Sequence, residues 1–192
     1  MKRATGIIFS LNLIFAGCYG QDHPAAPAAK TGNVSSISKP EMKDNTPSKR
    51  HSYYSRSNTG KLELAEHVWK QILPAELYHI AREAGTERAF TGQYWDFDAK
   101  GDYYCAACGN HLFKSDNKFS SGCGWPSFFE TIREGSVKYH EDRSYGMIRT
   151  EVTCGRCDAH LGHVFDDGPP PTGKRYCMNS ISLDFEAESS EK

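Results

Sequence analysis

The chain carries seven cysteines in 192 residues, and their spacing is the feature of the sequence that most directly indicates chemistry. Four of them form two Cys-x-x-Cys pairs, which are separated by 45 residues. One such turn presents two thiolates on the same side, and two turns together supply the four sulfur ligands that zinc prefers in structural sites. The sequence therefore predicts one structural zinc ion per chain, held by Cys105, Cys108, Cys154 and Cys157.

Three other interpretations of these pairs stay open at this point. Both pairs could be disulfides if the protein is exported, or one could be a redox pair of the thioredoxin type. A zinc ribbon that binds nucleic acid is disfavoured, because such a module carries a basic surface and this chain has a formal net charge of −1. We expect no nucleic-acid partner.

Two further cysteines, Cys123 and Cys177, are candidates for reactive thiols. Cys177 lies two residues after Arg175, whose fixed positive charge is expected to lower the pKa of the thiol. Cys123 has glycine on both sides in Ser121-Gly-Cys-Gly-Trp-Pro-Ser127, which is typical of a loop that can move toward a partner. The alternative for each is a small buried hydrophobic residue, and residue chemistry alone leaves both open.

A cysteine hydrolase is a second class of enzyme that the sequence could encode. Cys177, His163 and Asn179 would form its nucleophile, base and orienting amide. Such enzymes place the nucleophile at the start of a helix, whereas Cys177 lies in a strand-like segment, and Cys123 would then have no role. We therefore disfavour a hydrolase, while residue chemistry alone still leaves the role of the two thiols open.

The folded part begins with helices and continues with strands. Apolar residues recur at three- and four-residue steps from Leu62 to Ile72, and Pro74 starts a second helical stripe that ends at Gly85. After Phe90 the pattern changes to short segments rich in β-branched and aromatic residues between glycine turns. The strands are expected at Tyr103-Tyr104, Lys138–His140, Met147–Thr153 and Tyr176–Phe185. This predicts a small antiparallel β domain covered by N-terminal helices.

The N-terminal third is expected to lie outside this domain. Residues 1–18 have the basic start, the short apolar stretch and the small residues of a secretory signal, which also resembles a lipoprotein signal ending at Cys18. Residues 19–60 are poor in large aliphatic side chains and are predicted to be a disordered linker. We expect a folded domain at 61–187, a tail at 188–192, and an exported bacterial protein that is periplasmic or anchored to the membrane through a lipid on Cys18.

Four motifs in order resemble the methionine sulfoxide reductase B family. They are Gly85-Thr-Glu-Arg88 with Phe90-Thr-Gly92, Ser121-Gly-Cys-Gly-Trp-Pro-Ser-Phe128, His160-Leu-Gly-His-Val-Phe165, and Arg175-Tyr-Cys-Met-Asn-Ser180. The resemblance implies a mainly β fold of two small antiparallel sheets with short N-terminal helices and a four-cysteine zinc site. It also implies reduction of the R epimer of methionine sulfoxide in the repair of oxidised proteins.

The same resemblance assigns residues to roles. Cys177 matches the nucleophile, which becomes a sulfenic acid, and Cys123 matches the resolving cysteine, which forms a disulfide with it. His163, His140 and Asn179 match the polar residues that handle the sulfoxide oxygen, and Trp125 matches the residue that contacts the methyl group. We also place Arg175 in the substrate site, and we expect His111 and His160 to be structural. The implied partners are oxidised proteins and a thioredoxin-like reductant, and the implied state is a monomer.

Overall fold

The computed structural model describes residues 50–189. The predicted signal, the linker residues 19–49 and the last three residues of the predicted tail lie outside the described residues. Among residues 50–189, every helix is too short or too polar to cross a membrane.

Two short helices open the domain: α1 (Glu66–Ile72) and α2 (Ala75–Glu83). Pro74 lies between them, and their apolar faces bury Trp69, Leu77 and Ile80. The first helix begins later than the apolar stripe predicts. The amide of Leu62 donates a hydrogen bond to the carbonyl of Arg156 over 2.8 Å. Because this backbone group is paired with a segment distant in the sequence, the chain here is not part of a helical turn.

The remainder is antiparallel β-structure in two sheets. The strands among the described residues are β1 (Gly101–Cys105), β2 (His111–Lys114), β3 (Lys118–Phe119), β4 (Ser127–Phe128), β5 (Val137–Asp142), β6 (Arg149–Cys154), β7 (His160–Phe165), β8 (Arg175–Met178) and β9 (Leu183–Ala187). The small sheet has the order β2-β1-β9, and the large sheet has the order β3-β4-β8-β7-β6-β5. The predicted fold class is confirmed.

The core lies where side chains of the two sheets meet. Phe113 of β2 stacks on Phe128 of β4 with ring centroids 4.3 Å apart. Tyr103 of β1 packs between Phe128 and Phe185, with both centroid distances at 5.0 Å. These aromatic contacts fix one sheet against the other and so fix the strands that carry the cysteines.

The segment predicted as a single strand from Tyr176 to Phe185 is two strands in different sheets. Strand β8 ends at Met178, a turn of 3₁₀ helix covers Ser180–Ser182, and β9 follows. The carboxylate of Glu87 accepts hydrogen bonds from the amides of Ser180 and Ile181, over 2.6 and 3.1 Å. Because this partner comes from a remote loop, the alternating pattern of the segment gives no sign of the break.

The folded part also starts earlier than the predicted boundary at residue 61. Residues 50–62, which we call the strap, pack on the domain through polar contacts. The amide of Ser55 donates to the carbonyl of Cys108 over 3.0 Å, and Arg56 forms a salt bridge with Asp184 at 2.9 Å. Residues 50–60 of the predicted linker are therefore part of the packed domain.

Candidate functional site

One row of side chains crosses five strands of the large sheet. Cys177 on β8 lies opposite Ser127 on β4 and His163 on β7. The row continues through Glu151 on β6 to His140 on β5. Residues directly opposite one another in antiparallel strands project from the same face, so the pairing itself places His163 beside Cys177.

Cys123 comes to this row from the loop between β3 and β4. Its sulfur lies 3.5 Å from the sulfur of Cys177, and both thiols are free. A disulfide needs a separation of about 2.05 Å, so a small movement of the loop joins them. Gly124 allows the loop this path: its φ is +89°, and a Cβ there would lie 2.8 Å from the amide nitrogen of Phe90.

The two thiols have opposite pKa shifts. Burial raises the pKa of Cys177 to about 12, Cys123 adds to the rise, and Arg175 opposes it. Burial also acts to raise the pKa of Cys123, but hydrogen bonds with Ser121 and Ser127 outweigh it and hold the pKa below its ordinary value. When the reduced, substrate-free pair loses one proton, Cys123 is therefore the thiol that loses it, and Cys177 keeps its own.

This differs from the lowered pKa that the sequence led us to expect at Cys177. The guanidinium of Arg175 donates to both carboxylate oxygens of Asp167, over 2.8 and 2.9 Å, and lies 4.3 Å from the ring centroid of Phe165. The positive charge of Arg175 is thus largely neutralised by the carboxylate of Asp167. Its lowering of the pKa of Cys177 is therefore smaller than the rise that burial causes.

His163 is held by a carboxylate. Its Nε2 lies 2.8 Å from a carboxylate oxygen of Asp142, which also accepts a hydrogen bond from Arg149 over 2.5 Å. Burial lowers the pKa of His163, and Asp142 opposes that shift. The ring is therefore oriented, and it is neutral near pH 7 until substrate changes its surroundings.

His160, which we expected to be structural, lies next to His163. The ring centroids are 5.6 Å apart, and Nδ1 of His160 is 2.6 Å from a carboxylate oxygen of Glu151. Residues three apart in a regular strand face opposite ways, but a bulge in the pairing of β6 with β7 puts both histidines on one face. The His-x-x-His spacing was the one feature of the sequence that could have indicated this contact. In a strand without a bulge, the same spacing would place the two rings on opposite faces.

His140 is not brought to the thiols. It is exposed, its Nε2 lies 3.2 Å from the hydroxyl of Thr153, and its strand is three places from β8. At about 4.8 Å per strand, that is roughly 14 Å from Cys177. Of the two histidines predicted to serve the oxygen, only His163 is next to the nucleophile candidate.

Asn179 and Trp125 are connected through Glu87, a residue that sequence reasoning did not single out. The side-chain oxygen of buried Asn179 accepts from the amide of Glu87 over 3.0 Å, and its side-chain nitrogen donates to the carbonyl of Leu161. The indole nitrogen of Trp125 donates to the carbonyl of Glu87 over 3.2 Å. Since the Glu87 carboxylate also binds the turn after β8, one residue holds the wall of the site together.

The four remaining described cysteines form a separate buried cluster. Their ligand atoms all lie within 4.8 Å of one another, with Cys105 to Cys157 at 3.8 Å and Cys108 to Cys154 at 3.6 Å. Tetrahedral zinc with Zn–S bonds of about 2.3 Å requires sulfurs roughly 3.8 Å apart. The cluster therefore fits a four-coordinate metal ion, and all four of its cysteines are free thiols in the structure.

Two thiols in contact beside an oriented histidine, with a distinct four-sulfur cluster that suits a metal, define a thiol-dependent redox enzyme. A family model described as the SelR domain matches residues 73–187. Peptide methionine sulfoxide reductase MsrB of Agrobacterium fabrum is 56% identical over 126 residues, which is 66% of this chain and 93% of the relative. The enzyme of the same name from Thiobacillus denitrificans is 60% identical over 117 residues, or 61% of this chain and 89% of the relative. The chain belongs to the SelR-domain family of MsrB reductases, which confirms the resemblance.

Proposed function

We propose that this chain reduces the R epimer of methionine sulfoxide in oxidised proteins to methionine, with Cys177 as nucleophile and Cys123 as resolving cysteine. Membership of the family makes the chain a peptide-methionine (R)-S-oxide reductase, which is an oxidoreductase for protein repair. The observation that carries the residue assignment is the 3.5 Å contact between the two sulfurs, with His163 paired beside Cys177.

In the first step the sulfur of Cys177 attacks the sulfoxide sulfur. The sulfur–oxygen bond of the substrate breaks, and its oxygen is transferred to the sulfur of Cys177, which becomes a sulfenic acid. The proton that the thiol loses balances the proton that the oxygen gains. Methionine is thereby reduced and Cys177 is oxidised. Because the resting pKa of Cys177 is high, the thiol must lose its proton as substrate binds.

The oxygen needs a proton as negative charge develops on it, and His163 is the donor that the pairing supports. Its partner Asp142 favours the protonated ring, and the ring stands next to the nucleophile. A positioned acid of this kind typically accelerates proton transfer by about 10²–10⁴-fold. His140 is too distant for this role in the present arrangement.

In the second step the thiol of Cys123 attacks the sulfenic sulfur, water leaves, and the Cys123–Cys177 disulfide forms. An external dithiol then reduces this disulfide and is itself oxidised, which returns both thiols. We propose a thioredoxin-like protein as that reductant. The loop that carries Cys123 is open at Gly122, where a Cβ would meet no heavy atom within 4 Å.

The substrate site lies between Trp125 and Arg175. The indole nitrogen of Trp125 donates to the carbonyl of Glu87. The backbone carbonyl of Trp125 lies 3.6 Å from the sulfur of Cys123. This wall offers an aromatic contact for the S-methyl group. Arg175, held by Asp167, supplies a positive charge on the same strand as the nucleophile.

We propose zinc as the metal of the four-cysteine cluster. Four thiolates favour zinc or an iron–sulfur centre, and sulfurs 3.6 to 3.8 Å apart suit a single ion. Cys105, Cys108, Cys154 and Cys157 would hold it, and its contribution would be to join the ends of strands in both sheets. The ion has no part in the redox steps.

We also propose that the protein is exported, and that it is either periplasmic or anchored to the membrane through a lipid on Cys18. The basic start, apolar stretch and small residues before Cys18 support this. Mass spectrometry of the mature N-terminus tests it: a diacylated Cys18 identifies the anchored form, and an unmodified N-terminus created by removal of the signal identifies the periplasmic form. A protein that keeps Met1 and stays in the cytoplasmic fraction would contradict export.

Trapping the intermediates tests the two cysteine roles. We expect Cys177→Ser to abolish reduction of an R-sulfoxide peptide, since no sulfenic acid forms. Cys123→Ser should give one equivalent of methionine and a sulfenic acid on Cys177, with recycling by thioredoxin lost. Quenched-flow assays with mass spectrometry measure both outcomes.

Cys157→Ser is not a suitable control, because it removes a metal ligand. Ser120→Ala, on the same loop as Cys123 but without a contact to either sulfur, is the matched control and should turn over normally. Multiple turnovers by Cys123→Ser with thioredoxin would show that another thiol resolves the intermediate and would overturn the assignment.

A further inference from the structure

The strap lies outside the part of the chain that the family model matches, yet it contacts the first Cys-x-x-Cys turn directly. The family match begins at residue 73. Nε2 of His51 lies 3.0 Å from the carbonyl of Ala107, and the amide of Ser55 donates to the carbonyl of Cys108 over 3.0 Å. The strap passes so close that a Cβ on Gly109 would lie 2.7 Å from the backbone of Ser55.

The second Cys-x-x-Cys turn is tied to the strap by Arg156, which stands between two of the clustered cysteines and is 5% exposed. Its guanidinium donates to the carbonyl of Cys108 over 2.5 Å, of Gly60 over 3.2 Å and of Tyr53 over 3.3 Å. Its own carbonyl accepts from the amide of Leu62 over 2.8 Å. One buried cation thus bonds the strap and both turns at once.

Two side chains of the strap bind β9 and not the cluster. Arg56 forms salt bridges with Asp184 and Glu186 of β9 and lies 4.5 Å from the ring centroid of Tyr104. The hydroxyl of Tyr54 also donates to Asp184. These side-chain contacts can be removed by mutation without changing a clustered cysteine or a hydrogen bond to its turn.

We propose that the strap and Arg156 form a clasp over the metal site and slow release of the bound ion. This inference rests on the metal part of the proposed function. A metal leaves a thiolate site when a competing ligand reaches it or a turn opens, and the clasp opposes both. It covers the backbone of one turn, and each turn can open only by breaking hydrogen bonds to the strap. A tetrathiolate zinc centre carries a net charge of about −2, which the buried guanidinium also balances.

Metal release from the full-length, zinc-loaded protein tests the clasp. A chromogenic chelator in excess reports the rate under native conditions. Arg156→Lys keeps the charge but replaces the two donor nitrogens, Nε and Nη1, with a single one that cannot stand in both places, and we expect release to be at least tenfold faster. Arg56→Gln removes only the salt bridges between the strap and β9, and we expect release about threefold faster with the reductase rate unchanged. Arg143→Gln, which loses an exposed salt bridge on the β5–β6 hairpin, should release zinc at the parental rate.

A stability control separates the clasp from general loosening. Leu77→Ala shortens a buried side chain of α2 that takes no part in the strap hydrogen bonds, and it should lower the melting temperature. If it releases zinc as fast as Arg156→Lys at an equal loss of melting temperature, release follows global stability and the clasp is refuted. Unchanged release in both Arg156→Lys and Arg56→Gln refutes it as well. A purified protein without metal refutes the metal site and the clasp together, while the sulfenic-acid assay still reports on the reductase chemistry.

Discussion

At the scale of single residues, the surroundings of the thiol pair keep Cys177 protonated until substrate binds. Two sulfurs in contact cannot both carry a full negative charge, so one deprotonation raises the cost of the other. Burial and Cys123 raise the pKa of Cys177, while hydroxyl partners lower that of Cys123. Cys177, as the proposed nucleophile, is therefore activated only in the complex, where its thiol loses the proton.

The acid assigned to His163 predicts a pH dependence. Activity requires the protonated ring, so it falls as the pH rises through the pKa of His163 in the complex. Asp142→Asn removes the carboxylate that raises this pKa, so the ring loses its proton at lower pH. We expect the descending limb of the kcat profile, which reports ionisation in the complex, to move to lower pH in steady-state assays with an R-sulfoxide peptide.

Glu141→Gln is the matched control, because Glu141 is a carboxylate on the same strand whose partner is the exposed Arg143. Its profile should coincide with that of the parent. A profile of Asp142→Asn that keeps its shape and only loses height would mean that Asp142 supports the fold and does not tune the histidine.

The cysteines could be grouped from the sequence because their information is local. The Cys-x-x-Cys spacing marks the cluster, and the two leftover thiols are the ones that meet at 3.5 Å. The histidines could not be sorted in this way. The position of each histidine relative to Cys177 depends on the strand order and on the bulge between β6 and β7. The residues near His140 or His160 in the sequence predict neither of these features.

At the scale of elements, the loop that contains Glu87 connects three parts of the site. It holds Trp125 by a carbonyl, Asn179 by an amide, and the turn between β8 and β9 by a carboxylate. This turn is what sends the chain from the large sheet to the small one. A sequence pattern cannot reveal it, because the partner of the turn lies more than 90 residues away.

Glu87→Gln should therefore weaken substrate binding more than chemistry. The amide can accept one of the two backbone hydrogen bonds, and losing the other costs about 1 kcal/mol. We expect KM for a sulfoxide peptide to rise about fivefold with kcat within about twofold, and the fluorescence of the tryptophans to change.

Glu83→Gln, on the exposed face of α2, serves as the comparison and should leave both constants unaltered. The rate at which a disulfide reagent labels Cys177 should also be unaffected in Glu87→Gln. A slower labelling rate together with a normal KM would place the role of Glu87 in the nucleophile strand and not in the wall of the site.

At the scale of the whole molecule, the four-cysteine cluster joins the two sheets. Cys105 is the last residue of β1 in the small sheet, and Cys154 is the last residue of β6 in the large one. Antiparallel strands, helical cover and the cysteine spacing made this architecture predictable. The strap was not, because it is fixed by arginine and backbone hydrogen bonds, which a count of aliphatic residues does not register.

Loss of the metal should unfold the domain and not only slow the reaction. In a domain this small, the binding energy of a structural ion is a large part of the folding energy. We expect Cys105→Ser, or prolonged chelation, to abolish the near-ultraviolet circular dichroism and cooperative melting. Cys123→Ser should keep the metal and the melting transition. A folded, active and metal-free Cys105→Ser protein would contradict this role.

The different exposure of the two groups of sulfur decides what peroxide does to this protein. The clustered cysteines are between 0% and 2% exposed, while Cys123 and Cys177 are only partly buried. A small oxidant therefore meets the pair first, and it produces a sulfenic acid that closes to a disulfide with release of water. That product is the same disulfide that the proposed catalytic cycle forms, so the reductant proposed for that cycle would also regenerate the enzyme. Oxidation is thus directed to the sulfurs of Cys123 and Cys177, whose disulfide the proposed cycle already reduces.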